Sequence, residues 1–222
     1  MKAKENKISS ADIKYKIVLL GDTNSGKTIF FKKLTSGLFN EKNISTIGMD
    51  KRTIRVKCDL EEKDGKISTK IVEITLFDTA GQERYRSITK SYFMGSDAVI
   101  ILYDITDKRT FNDVESWIEA IINCSNNDIN NYVIFLMGSK LHLIESGDKE
   151  REVEVDEAIK ICKEKQLEWG GEYRDIDSTE QFLNKFKEFI KIIYKKIGVK
   201  KVQDEKIKLG ASKYIKKKKD TC

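Results

Sequence analysis

Gly21-Asp22-Thr23-Asn24-Ser25-Gly26-Lys27-Thr28 stands between a strand-like apolar run, Tyr15-Lys16-Ile17-Val18-Leu19-Leu20, and a helix-like segment that begins at Ile29. This spacing of glycines and lysine predicts a phosphate-binding loop. Backbone N–H groups converge on one anion only along a path that side chains would obstruct, so Gly21 and Gly26 fall where the loop bends and where it meets phosphate. Asp22, Thr23, Asn24 and Ser25 complete the cradle, and the positive end of the following helix adds to it. Lys27 then reaches the β- and γ-phosphates as a point charge. Thr28, one residue on, offers its hydroxyl to Mg²⁺.

The 222 residues suffice for one α/β domain with a well-buried core and a tail. Charged residues make up 35% and apolar ones 39%, with no apolar run near the ~20 residues of a membrane span, which predicts a soluble protein. Met1-Lys2-Ala3-Lys4-Glu5-Asn6-Lys7 lacks the apolar stretch of a secretion signal, and Lys2 stands where a myristoylation site needs glycine. Cys58, Cys124 and Cys162 lie far apart without metal-ligand spacing and read as reduced, at least partly buried thiols, which points to the cytosol. The net charge of +6 is unevenly placed: residues 198–222 hold nine lysines against Asp204, Glu205 and Asp220, and the remainder is neutral. A neutral body offers no footprint for nucleic acid, so the basic tail is expected at an anionic membrane.

Taken in order, a flexible segment over residues 1–12 precedes a strand at 14–20, the loop, and a helix that runs to about Ser36 and stops at Gly37. Two β-rich runs, Lys51 to Cys58 and Lys70 to Phe77, read as a hairpin with a long charged connection through Asp64-Gly65. The second delivers Asp78-Thr79-Ala80-Gly81-Gln82. Asp97 to Ile105 and Tyr132 to Gly138 are continuous apolar runs, as in strands buried on both faces. Val114, Trp117, Ile118, Ile121 and Ile122 share a helical face between them. Ser178 with Gln181 predicts a capping box, followed by a helix striped by Phe182, Phe186, Phe189, Ile190, Ile193 and Ile197. Strands alternating with helices predict an α/β fold with a largely parallel sheet, ligands binding at the carboxyl ends of its strands.

With Gly21 to Thr28, Ser45-Thr46-Ile47-Gly48, and Asp78-Thr79-Ala80-Gly81-Gln82-Glu83-Arg84-Tyr85-Arg86-Ser87-Ile88-Thr89 in that order, the chain resembles the Rab family of Ras-like small GTPases over about residues 13–197. The resemblance implies a P-loop GTPase fold, a six-stranded, mostly parallel sheet flanked by helices, in a domain spanning 13–197, with 198–222 as a basic hypervariable tail. It implies GTP and GDP as ligands, Mg²⁺ as cofactor, and a switch in vesicle trafficking on the cytosolic face of an intracellular membrane. Exchange factors, GTPase-activating proteins and effectors are the implied partners. On that reading Asp78 binds Mg²⁺ through water, Thr46 adds its hydroxyl when the γ-phosphate draws its loop inward, and the Gly81 amide meets the same phosphate. Gln82 orients the attacking water, and Phe39 flanks the guanine ring.

The departures from the family pattern concern the base first. Where the family has Asn-Lys-x-Asp, this chain has Ser139-Lys140-Leu141-His142. A carboxylate accepts two hydrogen bonds from the guanine edge, whereas His142 offers at most one acceptor. Lys140 can still lay its stem over the ring. Glu172-Tyr173-Arg174 stands at the place of the family's Ser-Ala-Lys segment. Thr23 and Asn24 bring side chains into the phosphate loop, which points to slow intrinsic hydrolysis, and Lys51 with Phe77 and Tyr92 replaces an effector-facing aromatic triad. Cys222 is single and terminal, which matches neither the family's paired prenylated cysteines nor C-a-a-X, and a single lipid there would need the lysines as a second anchor. Retained Gln82 and Thr46 favour a GTPase. Ser139 and His142 favour a pseudo-GTPase scaffold with weak or relaxed nucleotide binding.

Overall fold

The computed structural model describes residues 10–36, 44–46, 49–79, 95–124 and 132–199, with the side chains of 44–46, 49 and 124 left out. Its strands are β1 (Ile13–Leu20), β2 (Ile44–Thr46), β3 (Met49–Glu61), β4 (Ile67–Asp78), β5 (Ala98–Asp104), β6 (Val133–Ser139) and β7 (Glu168–Glu172). The helices are α1 (Lys27–Thr35), α2 (Lys108–Asn112), α3 (Val114–Cys124), α4 (Leu141–Glu145), α5 (Val155–Lys165) and α6 (Thr179–Ile197). The strands lie in one sheet in the order β2-β3-β4-β1-β5-β6-β7. Six of them make the expected mostly parallel sheet, and the three-residue β2 adds a short antiparallel edge against β3.

Strand alternation decides which helices cover which face. Along β1, Ile13, Tyr15, Ile17 and Leu19 enter one core with Phe30, Phe31 and Leu34 of α1 and the stripe of α6. Val18 and Leu20 enter the other, with Phe111 of α2, Val114, Trp117, Ile118 and Ile121 of α3, and Ala158 and Cys162 of α5. β5 and β6 divide in the same way and are buried over their whole lengths, which is why they read as unbroken apolar runs. α6 begins at the anticipated box, in which the Ser178 hydroxyl accepts from Gln181 N while the Gln181 side chain accepts from Ser178 N. Its buried Phe182, Phe186 and Phe189 each contribute about 2 kcal/mol of apolar burial. Phe189 stacks on Phe135 of β6 at 4.4 Å.

The hairpin differs from its sequence reading. β3 and β4 pair from Asp50↔Asp78 out to Glu61↔Ile67, so only residues 62–66 connect them and the long connection is mostly strand. Leu60 is fully buried against the α6 side, and beyond it Asp64 pairs with Lys66. Glu62 accepts from Ser68 Oγ at 2.7 Å and from Tyr194 Oη at 2.8 Å, and pairs with Lys70 at 2.9 Å. These bonds hold the Glu62 carboxyl down at about 2. β4, β1, β5, β6 and β7 all run parallel, so five carboxyl ends open on one edge, where the phosphate loop leaves β1.

Candidate functional site

The phosphate loop closes as its glycines require. Gly21, Asn24 and Gly26 take positive φ of 130°, 64° and 90°. At Gly26 a side chain is excluded outright, since a Cβ there would stand 2.3 Å from Tyr173 Oη and 2.9 Å from Ser139 Cβ. Gly26 is also the residue from which α1 starts. The buried Lys27 ammonium donates to the carbonyls of Gly21 (2.7 Å) and Asp22 (2.5 Å), which sets a positive charge inside the loop. Trp117 Nε1 donates to Asp22 Oδ1 at 2.9 Å and ties the loop to α3. Burial, followed by a hydrogen bond with Asp113, pushes the Asp22 carboxyl up to about 6.

Beside the loop, Thr28 Oγ1 donates to Asp78 Oδ2 at 2.8 Å, bringing together two residues 50 apart in sequence. The other carboxylate oxygen, Asp78 Oδ1, is buried without a hydrogen-bond partner. Burial also raises the Asp78 pKa, against the Thr28 hydrogen bond and the Lys27 charge, which lower it. A buried carboxylate oxygen left unmatched is costly in the protein alone, and a hydrated divalent cation would satisfy it. Thr28 and Asp78 therefore fit Mg²⁺. No group of three or more His, Cys, Asp or Glu side chains able to hold a metal occurs among the described residues.

The residues expected to meet the base lie at the carboxyl ends of β5 and β6. Ser139 is fully buried and its hydroxyl donates to Tyr103 O at 3.0 Å. Lys140, at φ 68°, turns its ammonium onto Asp104 Oδ2 at 2.5 Å, while Asp104 Oδ1 accepts from Thr106 N and Oγ1. His142 Nδ1 accepts from the backbone N–H of Asp175 at 3.2 Å. An imidazole that accepts at Nδ1 carries its proton at Nε2 when neutral, so the other nitrogen of His142 is a donor. That polarity cannot serve the N1 and N2 donors of guanine. Asp175 Oδ1 is buried nearby without a hydrogen-bond partner, and burial raises its pKa.

Gly21 to Thr28, Asp78, Ser139, Lys140 and His142 are thus gathered at one sheet edge. Thr46 ends β2, paired in backbone register with Met49. Phe39, Gly81, Gln82 and Tyr92 lie outside the described residues, as do the tail lysines and Cys222. Lys51 Nζ sits 5.5 Å from the Phe77 ring centre and Lys16 Nζ 4.9 Å from it, so cations cover that aromatic. Cys58 and Cys162 are buried free thiols, and no described helix is long and apolar enough to cross a membrane. Sequence reasoning misses Trp117, Asp104 and Tyr173 as contributors to the site. Trp117 reads as part of the core stripe, and only the oddity of Glu172-Tyr173-Arg174 marks Tyr173.

A sequence model of the Ras family matches residues 16–196. Ras-related protein RABD2a of Arabidopsis thaliana is 36% identical over 135 residues, 61% of this chain and 61% of the relative. GTP-binding protein yptV2 of Volvox carteri is 37% identical over 134 residues, 60% of this chain and 56% of the relative. GTP-binding protein YPTM1 of Zea mays is 37% identical over 135 residues, 61% and 59% of the two chains. The chain thus spans about three fifths of the length of the curated relatives it matches. With a Ras-family match over residues 16–196, which takes in the loop after β1 and both Thr28 and Asp78, the chain belongs to the Ras family.

Proposed function

We propose that the protein is a Rab-like small GTPase that binds GTP and GDP with Mg²⁺, hydrolyses GTP, and presents two states to partners in membrane trafficking. The observation that carries this reading is the Thr28–Asp78 hydrogen bond with its unmatched Asp78 Oδ1, set against a loop whose Lys27 ammonium is buried. A turn that matched the phosphate-loop pattern by accident would have no reason to keep a buried carboxylate oxygen unsatisfied beside it. Family membership and the GTP-binding names of its relatives support the same reading.

In this assignment the loop amides and Lys27 bind and orient the phosphates, while Thr28, Thr46 and Asp78 hold the cation. Mg²⁺, when bound, neutralises charge on the phosphate oxygens. Gln82 orients the water and the Gly81 amide meets the γ-phosphate, so loss of that phosphate frees the segments around Thr46 and Gln82. Those segments are the surface for exchange factors, GTPase-activating proteins and effectors. Phe39 and Lys140 bracket the base, with Ser139 and His142 beside them. The nine lysines of 198–222 support peripheral attachment to an anionic membrane, with a prenyl group on Cys222 as the second anchor.

The test begins with the nucleotide freed when purified protein is denatured, which should be GDP or GTP. Gln82→Leu should then slow GTP turnover at least tenfold, about 1.4 kcal/mol of barrier, with GDP affinity within about twofold of the unaltered chain. Unchanged turnover would take the water-orienting role from Gln82. A chain that neither retains nor takes up guanine nucleotide would sink the whole assignment.

A further inference from the structure

Tyr173 joins the two ends of the site. It is fully buried, and its backbone is fixed to the turn that carries Ser139 and Lys140: its N–H donates to Gly138 O at 3.0 Å and its carbonyl accepts from Leu141 N at 3.1 Å. The ring packs edge-on to Phe30 of α1 at 5.6 Å and to Phe182 of α6 at 5.2 Å. From that socket the hydroxyl donates to the Gly26 carbonyl at 2.9 Å, a bond spanning 147 residues of sequence.

The Gly26 carbonyl also accepts from Phe30 N at 2.9 Å, the first hydrogen bond of α1. One donor thus comes from its own helix and one from Tyr173, so both lone pairs are engaged and the peptide plane has little freedom to tilt. A trans peptide points its C=O and N–H in opposite directions. With the Gly26 carbonyl turned into α1, the Lys27 N–H is aimed out of the helix start and into the phosphate loop. Ser139 belongs to the same arrangement. Its fully buried side chain and the phenol together take the space that a Cβ at Gly26 would need.

Building on the nucleotide-binding reading above, we infer that Tyr173 is a positioning residue for the phosphate site: its hydroxyl fixes the Gly26–Lys27 peptide and so directs the Lys27 amide at the phosphates of a bound nucleoside diphosphate. The tether also carries any displacement of the Ser139–His142 turn to the phosphate loop, because the same residue is bonded to both. Burial holds the phenol well above its ordinary pKa, so it remains an O–H donor through neutral and mildly alkaline pH.

The full chain loaded with fluorescent GDP tests this. Tyr173→Phe should release GDP about tenfold faster and shift the phosphorus resonance of the bound β-phosphate, a signature that loosened core packing alone would not give. Tyr103→Phe is the control, because Tyr103 Oη is an equally buried hydroxyl with no hydrogen-bond partner; its release rate should stay within about twofold of the unaltered chain. If Tyr173→Phe does not fold, fluorotyrosine at position 173, a stronger donor of the same shape, should slow release instead. Unchanged release with an unmoved resonance overturns the tether and leaves the nucleotide reading standing. Equal acceleration by Tyr103→Phe overturns it as well. Failure of the unaltered chain to bind any nucleotide overturns both.

Discussion

At the phosphate end of the site positions are set by backbone: two positive-φ glycines, the start of α1, and a lysine held by two carbonyls. At the base end they are set by side-chain pairs, Lys140 on Asp104, Arg151 on Glu172 at 2.6 Å, Arg174 on Glu145 at 2.5 Å, and His142 on the Asp175 amide. A backbone cradle serves any polyphosphate and tolerates change in its neighbours. A base-reading surface depends on which donors and acceptors face the ligand, so a few substitutions rewrite it. The two ends of one sheet edge can therefore diverge at different rates, with Tyr173 as the mechanical link between them.

The largest effect should come from breaking the backbone-built end. Lys27→Ala removes the buried loop cation and with it two charge-assisted phosphate contacts of about 1.5–3 kcal/mol each. Affinity for a non-hydrolysable GTP analogue, titrated by nucleotide fluorescence, should fall at least hundredfold, about 2.7 kcal/mol. A loss under tenfold would mean that backbone amides alone hold the phosphates. A smaller effect is expected at the other end. His142→Asp replaces a donor-facing imidazole by a carboxylate that can accept from guanine N1 and N2, and should raise the GDP-over-ADP preference about tenfold. An unaltered chain that already rejects ADP would shift base reading to another group, with Asp175 first in line for its unmatched oxygen. Adding Ser139→Asn, attractive from sequence alone, should loosen GDP, because a larger side chain at the fully buried Ser139 overpacks its surroundings at about 1–3 kcal/mol.

The sheet and the conformation of the Gly21–Lys27 loop are legible in sequence because their physics is local. Gly21, Gly26 and Lys27 carry their meaning in spacing, β5 and β6 are apolar throughout because both faces are covered, and Ser178 with Gln181 announces α6 directly. β7 is not legible. Glu168-Trp169-Gly170-Gly171-Glu172 has neither alternation nor strand propensity, and pairing with β6 creates it, with a register shift between Leu136 and Gly138. Gly170 is needed there since a Cβ would come 2.9 Å from the Phe189 ring of α6. α5 hides for a related reason, as only Ala158 and Cys162 of its eleven residues are buried. The contacts of Trp117 with Asp22 and of Tyr173 with Gly26 span 95 and 147 residues, and no local pattern encodes such pairs.

The smallest predicted effect asks whether side chains contribute to the phosphate end at all. Asp22 is half-buried, with its carboxyl pushed up to about 6 by burial first and by the Asp113 hydrogen bond second, while Trp117 Nε1 and the Lys27 charge act in the opposite sense. A carboxyl whose folded-state pKa lies above its ordinary value of 3.8 binds its proton more tightly in the folded protein. The stability it adds is complete below the ordinary value and is lost as pH rises through about 6. Screening by solvent reduces the full linkage to ~1 kcal/mol for so exposed a group. Asp22→Asn keeps an acceptor for Trp117 Nε1 and cannot titrate. The difference in denaturant unfolding free energy between the unaltered chain and Asp22→Asn should therefore move by ~1 kcal/mol from about pH 4 to about pH 7, the variant gaining on the unaltered chain. A difference that does not move with pH would leave the loop's stability to backbone and Lys27 alone, and would widen the contrast with the ion-paired base end.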